Sequence, residues 1–79
     1  MELTIYSKSG CTYCDKLKQF LDSREIPYLN LQLNEDYTTT EFIRKFGKST
    51  FPRVLFGEEH IGGMRETVAY LVENGYVTK

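Results

Sequence analysis

Leu3-Thr4-Ile5-Tyr6-Ser7-Lys8-Ser9-Gly10-Cys11-Thr12-Tyr13-Cys14 is the stretch that decides the fold. Its first half alternates, with Leu3 and Ile5 on one side and the β-prone Thr4 and Tyr6 on the other, so Glu2 to Tyr6 predicts a first strand. Ser7 to Gly10 is polar and reads as a loop. From Thr12 to about Arg24, Leu17, Phe20 and Leu21 recur at helical spacing, with Cys14 one turn before Leu17, while Lys16, Lys18, Gln19 and Asp22 face elsewhere. Both cysteines therefore stand where the loop after a strand enters an amphipathic helix.

Pro27 closes that helix, and Tyr28-Leu29-Asn30-Leu31-Gln32-Leu33 alternates with period two as a second strand. Thr38-Thr39-Thr40-Glu41 has the form of a capping box; Phe42, Ile43 and Phe46 follow at helical spacing, and Gly47 fits a left-handed cap. Arg53 to Phe56 and Glu59 to Ile61 predict a hairpin around Gly57-Glu58. A last helix from about Met64 to Asn74 directs Val68, Leu71 and Val72 inward and ends at Gly75. The order β-α-β-α-β-β-α is of the α/β class. Its β-α-β start requires a parallel pair with a right-handed crossover and its hairpin adds antiparallel strands, giving a mixed sheet with helices on its faces.

A chain of 79 residues leaves room for one domain, 1–79. Its 41% hydrophobic and 27% charged residues are ordinary for a globular protein and exclude a disordered or fibrous one. Six Tyr and five Phe are the large side chains expected to fill a small core. A formal charge of -1 lacks the basic excess of a sequence-independent nucleic-acid binder, so no nucleic-acid partner is expected. Met1 to Tyr6 has neither the basic flank nor the long apolar run of an export signal or a membrane span. Two cysteines are too few for a secreted disulfide framework, and a cytoplasmic setting among reduced thiols is the expectation.

Unpaired N–H groups and the positive end of the dipole at a helix N-terminus favour a thiolate. The dipole contributes about 0.3–1 kcal/mol when exposed and up to about 2, roughly one pKa unit below the free-thiol value near 8.5. A hydrogen bond from the second thiol and the charge of Lys8 add to it. Cys11, ahead of the first turn, is expected to be exposed and to attack a substrate disulfide. Cys14, on the packed face with Leu17 and Leu21, is expected to resolve the mixed disulfide.

Three other readings of the pair stand beside thiol-disulfide exchange. A structural disulfide across so short a loop gives only about 2 kcal/mol, and a reducing compartment opposes it. A zinc site needs about four ligands, and His60 is the only other soft one. Two unreactive cysteines fit the strand-loop-helix context poorly. No metal site is expected.

Three segments, Lys8 to Cys14, Thr50-Phe51-Pro52 and Ile61-Gly62-Gly63, together resemble the glutaredoxin family: its active-site loop, its Thr-Val-Pro and its Gly-Gly element before the last helix. The resemblance implies a thioredoxin-like fold, four strands in order 2-1-3-4 flanked by three helices, and a cis peptide before Pro52. By itself Pro52 also reads as an ordinary proline at a strand start. The resemblance further implies Cys11 and Cys14 as catalytic dithiol and glutathione as reductant, with no permanently bound cofactor. The glutathione site would be formed by Lys8, Tyr13, Thr50, Phe51, Pro52, Gly62, Gly63, Met64 and Arg65. In it the Phe51 backbone would pair with the cysteinyl group and the last helix would offer N–H groups to the γ-glutamyl carboxylate.

Arg53 and Arg65 read equally as anion ligands or as solvated surface charges. Phe51 stands where the family has valine and Thr12 where proline is commoner. Met64-Arg65-Glu66 follows the glycines where an acidic pair is frequent, with Glu66 a candidate for the acidic part. The implied function is glutathione-dependent reduction of protein disulfides and glutathione mixed disulfides by a monomer without a membrane partner. Ribonucleotide reductase is among the implied protein substrates. Two further readings are a hydrogen donor to ribonucleotide reductase recharged by thioredoxin reductase, and an iron-sulfur carrier built on Cys11 thiolates and glutathione.

Overall fold

Alternation in β1 (Leu3–Ser7) buries Leu3, Ile5 and Ser7 on one side and leaves Thr4 and Tyr6 half-buried on the other. In this computed structural model, which describes residues 2–77, six elements follow β1 in the expected order. They are α1 (Thr12–Ser23), β2 (Leu29–Gln32), α2 (Thr39–Phe46), β3 (Arg53–Phe56), β4 (Glu59–Gly62) and α3 (Met64–Glu73). The end of the chain, Thr78 and Lys79, and the initial Met1 lie outside the described residues.

The sheet has the order β2-β1-β3-β4. β1 lies parallel to β2, with Ile5 opposite Asn30, and antiparallel to β3, with Ile5 opposite Val54. β4 completes the hairpin, with a register shift between Val54 and Leu55. This is the mixed 2-1-3-4 sheet that the family resemblance implies.

The two faces of the sheet are packed differently. Leu3, Ile5, Leu17, Leu21, Ile26, Val54, Leu71 and Val77 form an aliphatic core joining β1, β3, α1 and α3. On the opposite side Tyr6 meets Tyr37 edge-on at 5.0 Å and Phe46 at 4.9 Å, and Phe42 stacks against Tyr37 at 6.0 Å. Phe20, Tyr28, Phe56 and Tyr70 flank the main core, partly buried. Tyr6, Tyr37, Phe42 and Phe46 build a second cluster under α2, where offset and edge-to-face packing suits a thin layer.

Local signals account for the helices. Thr38 accepts the Glu41 N–H at 3.1 Å and Glu41 accepts the Thr38 N–H at 2.9 Å, so the capping box starts α2. Gly47 ends it at φ +75°, a conformation that favours glycine. In α3 the buried residues are Thr67 and Leu71; Val72 is only partly buried and Val68 is not in the core. Thr67 can enter the core because its hydroxyl donates to the Gly63 carbonyl at 2.8 Å, leaving no buried polar atom unpaired. That rotates the helix relative to the expected Val68-Leu71-Val72 face.

Tyr37 ties the two layers together. Its hydroxyl donates to the Ser7 carbonyl at 2.6 Å, and burial, followed by the proximity of Tyr6 and Asp36, pushes its phenol up to about 12.

Leu21→Ala is expected to cost about 2–5 kcal/mol in urea unfolding, by removing a fully buried aliphatic side chain. Thr38→Ala is expected to cost about 1 kcal/mol, by unmaking the α2 cap. The Tyr37 phenol, raised in the folded state, contributes stability that is present below about pH 10 and is lost as the pH climbs through about 12. Chemical denaturation across that window is expected to show a shallower decline for Tyr37→Phe than for the unsubstituted chain.

Candidate active site

The loop that carries the cysteines leaves the sheet from an anchored point. The buried Ser7 hydroxyl donates to Asn30 Oδ1 at 2.6 Å, and the Ser7 carbonyl accepts from the Leu33 N–H at 2.9 Å as well as from Tyr37. Farther along, Gln32 Nε2 donates to Ser9 Oγ at 3.3 Å. The end of β1 and the first turn of the loop are thus tied to β2 on both sides of Lys8.

Cys11 is the N-cap of α1, with extended backbone at φ -93° and ψ 104°. Its sulfur accepts the Cys14 N–H at 3.1 Å and is joined to the Cys14 sulfur in a disulfide, with the two Cα atoms 5.2 Å apart. The expectation that Cys11 is exposed is corrected here. It is 8% exposed against 0% for Cys14, because the sulfur folds back over the first turn, where the backbone N–H and its partner sulfur hold it. The order of accessibility survives, with Cys11 the outer sulfur and Cys14 packed with Leu17 and Leu21.

When the disulfide is reduced, the position that the Cys11 sulfur occupies is favourable for negative charge. It lies within hydrogen-bond distance of an unpaired N–H of the first helical turn and at the positive end of the dipole. The outer sulfur thus stands in the position that the sequence reading assigns to the nucleophile, and the inner one in that of its resolving partner.

Thr50, Phe51 and Pro52 connect α2 to β3, and the Phe51–Pro52 peptide is cis, as the resemblance implies. Phe51 stacks on Phe42 with ring centroids 4.3 Å apart, and Lys8 Nζ lies 5.1 Å from the centre of the Phe51 ring. The valine-to-phenylalanine departure thus joins the aromatic layer under α2 to the active-site loop. Arg53 turns back on the same segment, donating from Nε to the Thr50 carbonyl at 3.0 Å.

At the third segment, Gly62 adopts φ +126° with Glu66 Cβ 3.0 Å from where its own Cβ would stand, so conformation and space both require glycine. Gly63 is the N-cap of α3, and its N–H donates to Glu66 Oε1 at 2.9 Å. That bond first, then the Glu66 N–H and the charges of Arg53 and Arg65, holds the Glu66 carboxyl below the usual carboxylate range. The N–H groups of Met64 and Arg65 precede the first intrahelical bond, Thr67 N–H to Gly63 carbonyl at 3.0 Å. These two are the helix-start donors available to an anion.

These segments border one groove of about 830 Å³. Of the residues singled out in the sequence, it brings together Tyr13, Thr50, Phe51, Pro52, Gly63, Met64 and Arg65. Lys8 and Gly62 are not in its wall; Lys8 lies over Phe51, and Gly62 lies against Glu66. Cys11 and Cys14 stand beside it at the start of the helix whose exposed Tyr13 does line it. Arg53 and Glu66 also line the groove, as do Val68, Ala69, Val72 and Glu73, which sequence reasoning did not place there. Their signal is the i, i+4 recurrence 64–68–72 and 65–69–73, which a core stripe produces equally well. His60, the only candidate soft metal ligand beyond the cysteines, packs edge-on against Phe46 at 5.2 Å.

A family model described as Glutaredoxin matches residues 3–61. The chain is 30% identical over 83 residues to Glutaredoxin 1 of Escherichia coli strain K12, covering 94% of this chain and 96% of that one. It is 32% identical over 68 residues to the hybrid peroxiredoxin hyPrx5 of Haemophilus influenzae, covering 86% of this chain but only 28% of that much longer protein. Among solved structures, a buckwheat glutaredoxin in complex with glutathione superimposes with a TM-score of 0.72 at 27% identity, over 92% of this chain and 69% of that one. With its sheet order, its Cys11–Cys14 pair and its cis Pro52 in the places the sequence motifs imply, the chain belongs to the glutaredoxin family of thiol-disulfide oxidoreductases.

Proposed function

We propose that the electrons for this exchange come from glutathione, and that the chain reduces glutathione mixed disulfides as well as protein disulfides. The observation that carries the reading is the pairing of an N-cap sulfur, Cys11, with a neighbouring groove whose end at α3 is cationic and rich in N–H donors. Glutathione has two carboxylates and a thiol, and such a groove meets both requirements. The glutathione complex of the buckwheat relative supports the same assignment.

In this reading the Met64 and Arg65 N–H groups, with Arg65 and Arg53 beside them, take the γ-glutamyl carboxylate. The Phe51 backbone pairs with the cysteinyl group, Tyr13 and Pro52 wall the site, and Lys8 above Phe51 faces the remaining carboxylate. Thr50 shapes the same edge, and Gly62 and Gly63 allow the close approach.

The Cys11 thiolate attacks the glutathione sulfur of a mixed disulfide. A bond forms between Cys11 and that sulfur, and the substrate thiolate leaves and takes a proton. A second glutathione thiolate then displaces Cys11 and departs as oxidised glutathione. With a protein disulfide, Cys11 attacks a protein sulfur and Cys14 resolves the intermediate, which yields the Cys11–Cys14 disulfide and a reduced protein; two glutathione molecules restore the dithiol.

A monomer in the cytoplasm, where glutathione is kept reduced, suits this cycle, with ribonucleotide reductase one of the disulfide-bearing proteins to be served.

Cys14→Ser is expected to retain turnover of small glutathione mixed disulfides and to lose reduction of intramolecular protein disulfides, whereas Cys11→Ser abolishes both. Turnover with glutathione and its reductase is expected to exceed turnover with thioredoxin reductase alone; the reverse order would assign the electron source elsewhere. The alkylation rate of Cys11 is expected to titrate below the free-thiol value of about 8.5.

A further inference from the structure

The residues assigned to glutathione use only the end of the groove beside the disulfide. The groove continues along α3 past Val68, Ala69 and Val72 to Glu73. Val68 and Val72 are half-buried and Ala69 is exposed, so this far arm presents an apolar strip to solvent, while the same helix turns Thr67 and Leu71 into the core. The strip is continuous with the reacting end, and its charge is polarised. Arg53 and Arg65 outweigh Glu66 at the near end, whereas Glu73 is the charged residue at the far end and makes no ion pair among the described residues.

We infer that the far arm is a docking surface for the polypeptide that carries the target disulfide, and that it selects apolar residues beside the cysteine followed by a basic residue over Glu73. The inference rests on the exchange chemistry proposed above. From Gly63 to Glu73 the helix advances about 15 Å at 1.5 Å per residue. An extended chain, at about 3.3 Å per residue, crosses that distance with about four or five residues. A substrate whose backbone passes the α3 start in this groove therefore meets Val68, Ala69 and Val72 within its next few residues and reaches Glu73 about four or five residues on. Apolar contact supplies the burial, and the carboxylate supplies the choice of charge. Glutathione, held at the near end in the site proposed above, leaves this arm free, so the arm distinguishes one protein disulfide from another without altering how a small disulfide reacts.

The test is single-turnover reduction by the pre-reduced protein, with no glutathione present. The substrates are two peptides whose single cysteine is joined by a disulfide to 2-mercaptoethanol. In both, the cysteine is flanked by valines; one has lysine and the other glutamate four positions away on each side. Cys11 forms a bond to the peptide sulfur and 2-mercaptoethanol leaves. Cys14 then releases the peptide thiol, so the protein dithiol is oxidised to its disulfide as the peptide disulfide is reduced to two thiols.

The lysine peptide is expected to react about 2–5-fold faster at low ionic strength, as an exposed charge pair allows, with the preference fading as salt is added. Glu73→Lys is expected to reverse the preference, and Ala69→Asp to slow both peptides, while hydroxyethyl disulfide reacts at an unchanged rate with either variant. An unchanged preference in Glu73→Lys, or equal losses on peptides and hydroxyethyl disulfide, would overturn the docking surface. Failure of glutathione to recharge the oxidised protein, read in a separate turnover assay with glutathione added, would instead count against the reductant proposed above and leave the peptide preference standing.

Discussion

The contact between the Cys14 N–H and the Cys11 sulfur is the constraint on which the site depends. It requires Cys11 to stop being helix and become the cap, with an extended backbone, while Cys14 is already in the first turn with its side chain on the packed face. An N-cap side chain ordinarily accepts an N–H through an oxygen. A sulfur in that role obtains a donor and the end of the dipole together, so the group that caps the helix belongs to the redox pair. The three-residue spacing is what allows this. The residue three beyond the cap both donates the N–H and carries the second thiol one turn deeper.

That geometry would be of little use on a loose loop. Ser7 supplies the rigidity from both of its polar groups: the hydroxyl reaches across to Asn30, and the carbonyl receives Leu33 and Tyr37. A buried serine with its donors and acceptors met costs little and fixes direction. Tyr37 extends the anchor into the aromatic layer, where Phe42 stacks on it and Phe51 stacks on Phe42 in turn. The ring under Lys8 is thus continuous with the packing that holds the end of β1, so the loop before the cysteines and the loop before Pro52 are positioned by a single set of contacts.

Much of this was legible in the sequence where a residue's type and its spacing agree. The strand alternation around Ile5, the capping box at Thr38 and the glycine at 47 each have one strong local cause, and each element formed within a residue or two of its expected bounds. The aliphatic face of α1 and the burial of Cys14 followed from periodicity in the same way. The exposure of Cys11 was misjudged because position ahead of a helix says nothing about where a side chain able to fold back will go. The inward face of α3 holds at Leu71 and in part at Val72 but not at Val68, for a different reason. A stripe of valines predicts contact with something apolar, but periodicity does not say whether that partner is the chain's own core or a groove. Thr67 decided the matter through its hydrogen bond to Gly63, which local hydropathy does not register.

The start of α3 bears on the proposed anion site, because a carboxylate lines the groove there. Glu66 takes the Gly63 N–H, which removes one donor from the set that a ligand would otherwise meet, and brings negative charge close to the helix terminus. Both effects oppose anion binding taken alone. The same carboxylate, however, fixes the first turn with the Met64 and Arg65 N–H groups ahead of any intrahelical bond, and it lies within the influence of Arg53 and Arg65, whose positive charge it does not exceed. Since a free helix start frays and a capped one does not, the loss of one donor is offset by the fixed direction of the other two. In the proposed site the terminus therefore offers a preorganised donor pair with a cationic rim, defined by the direction of those N–H groups more than by net charge.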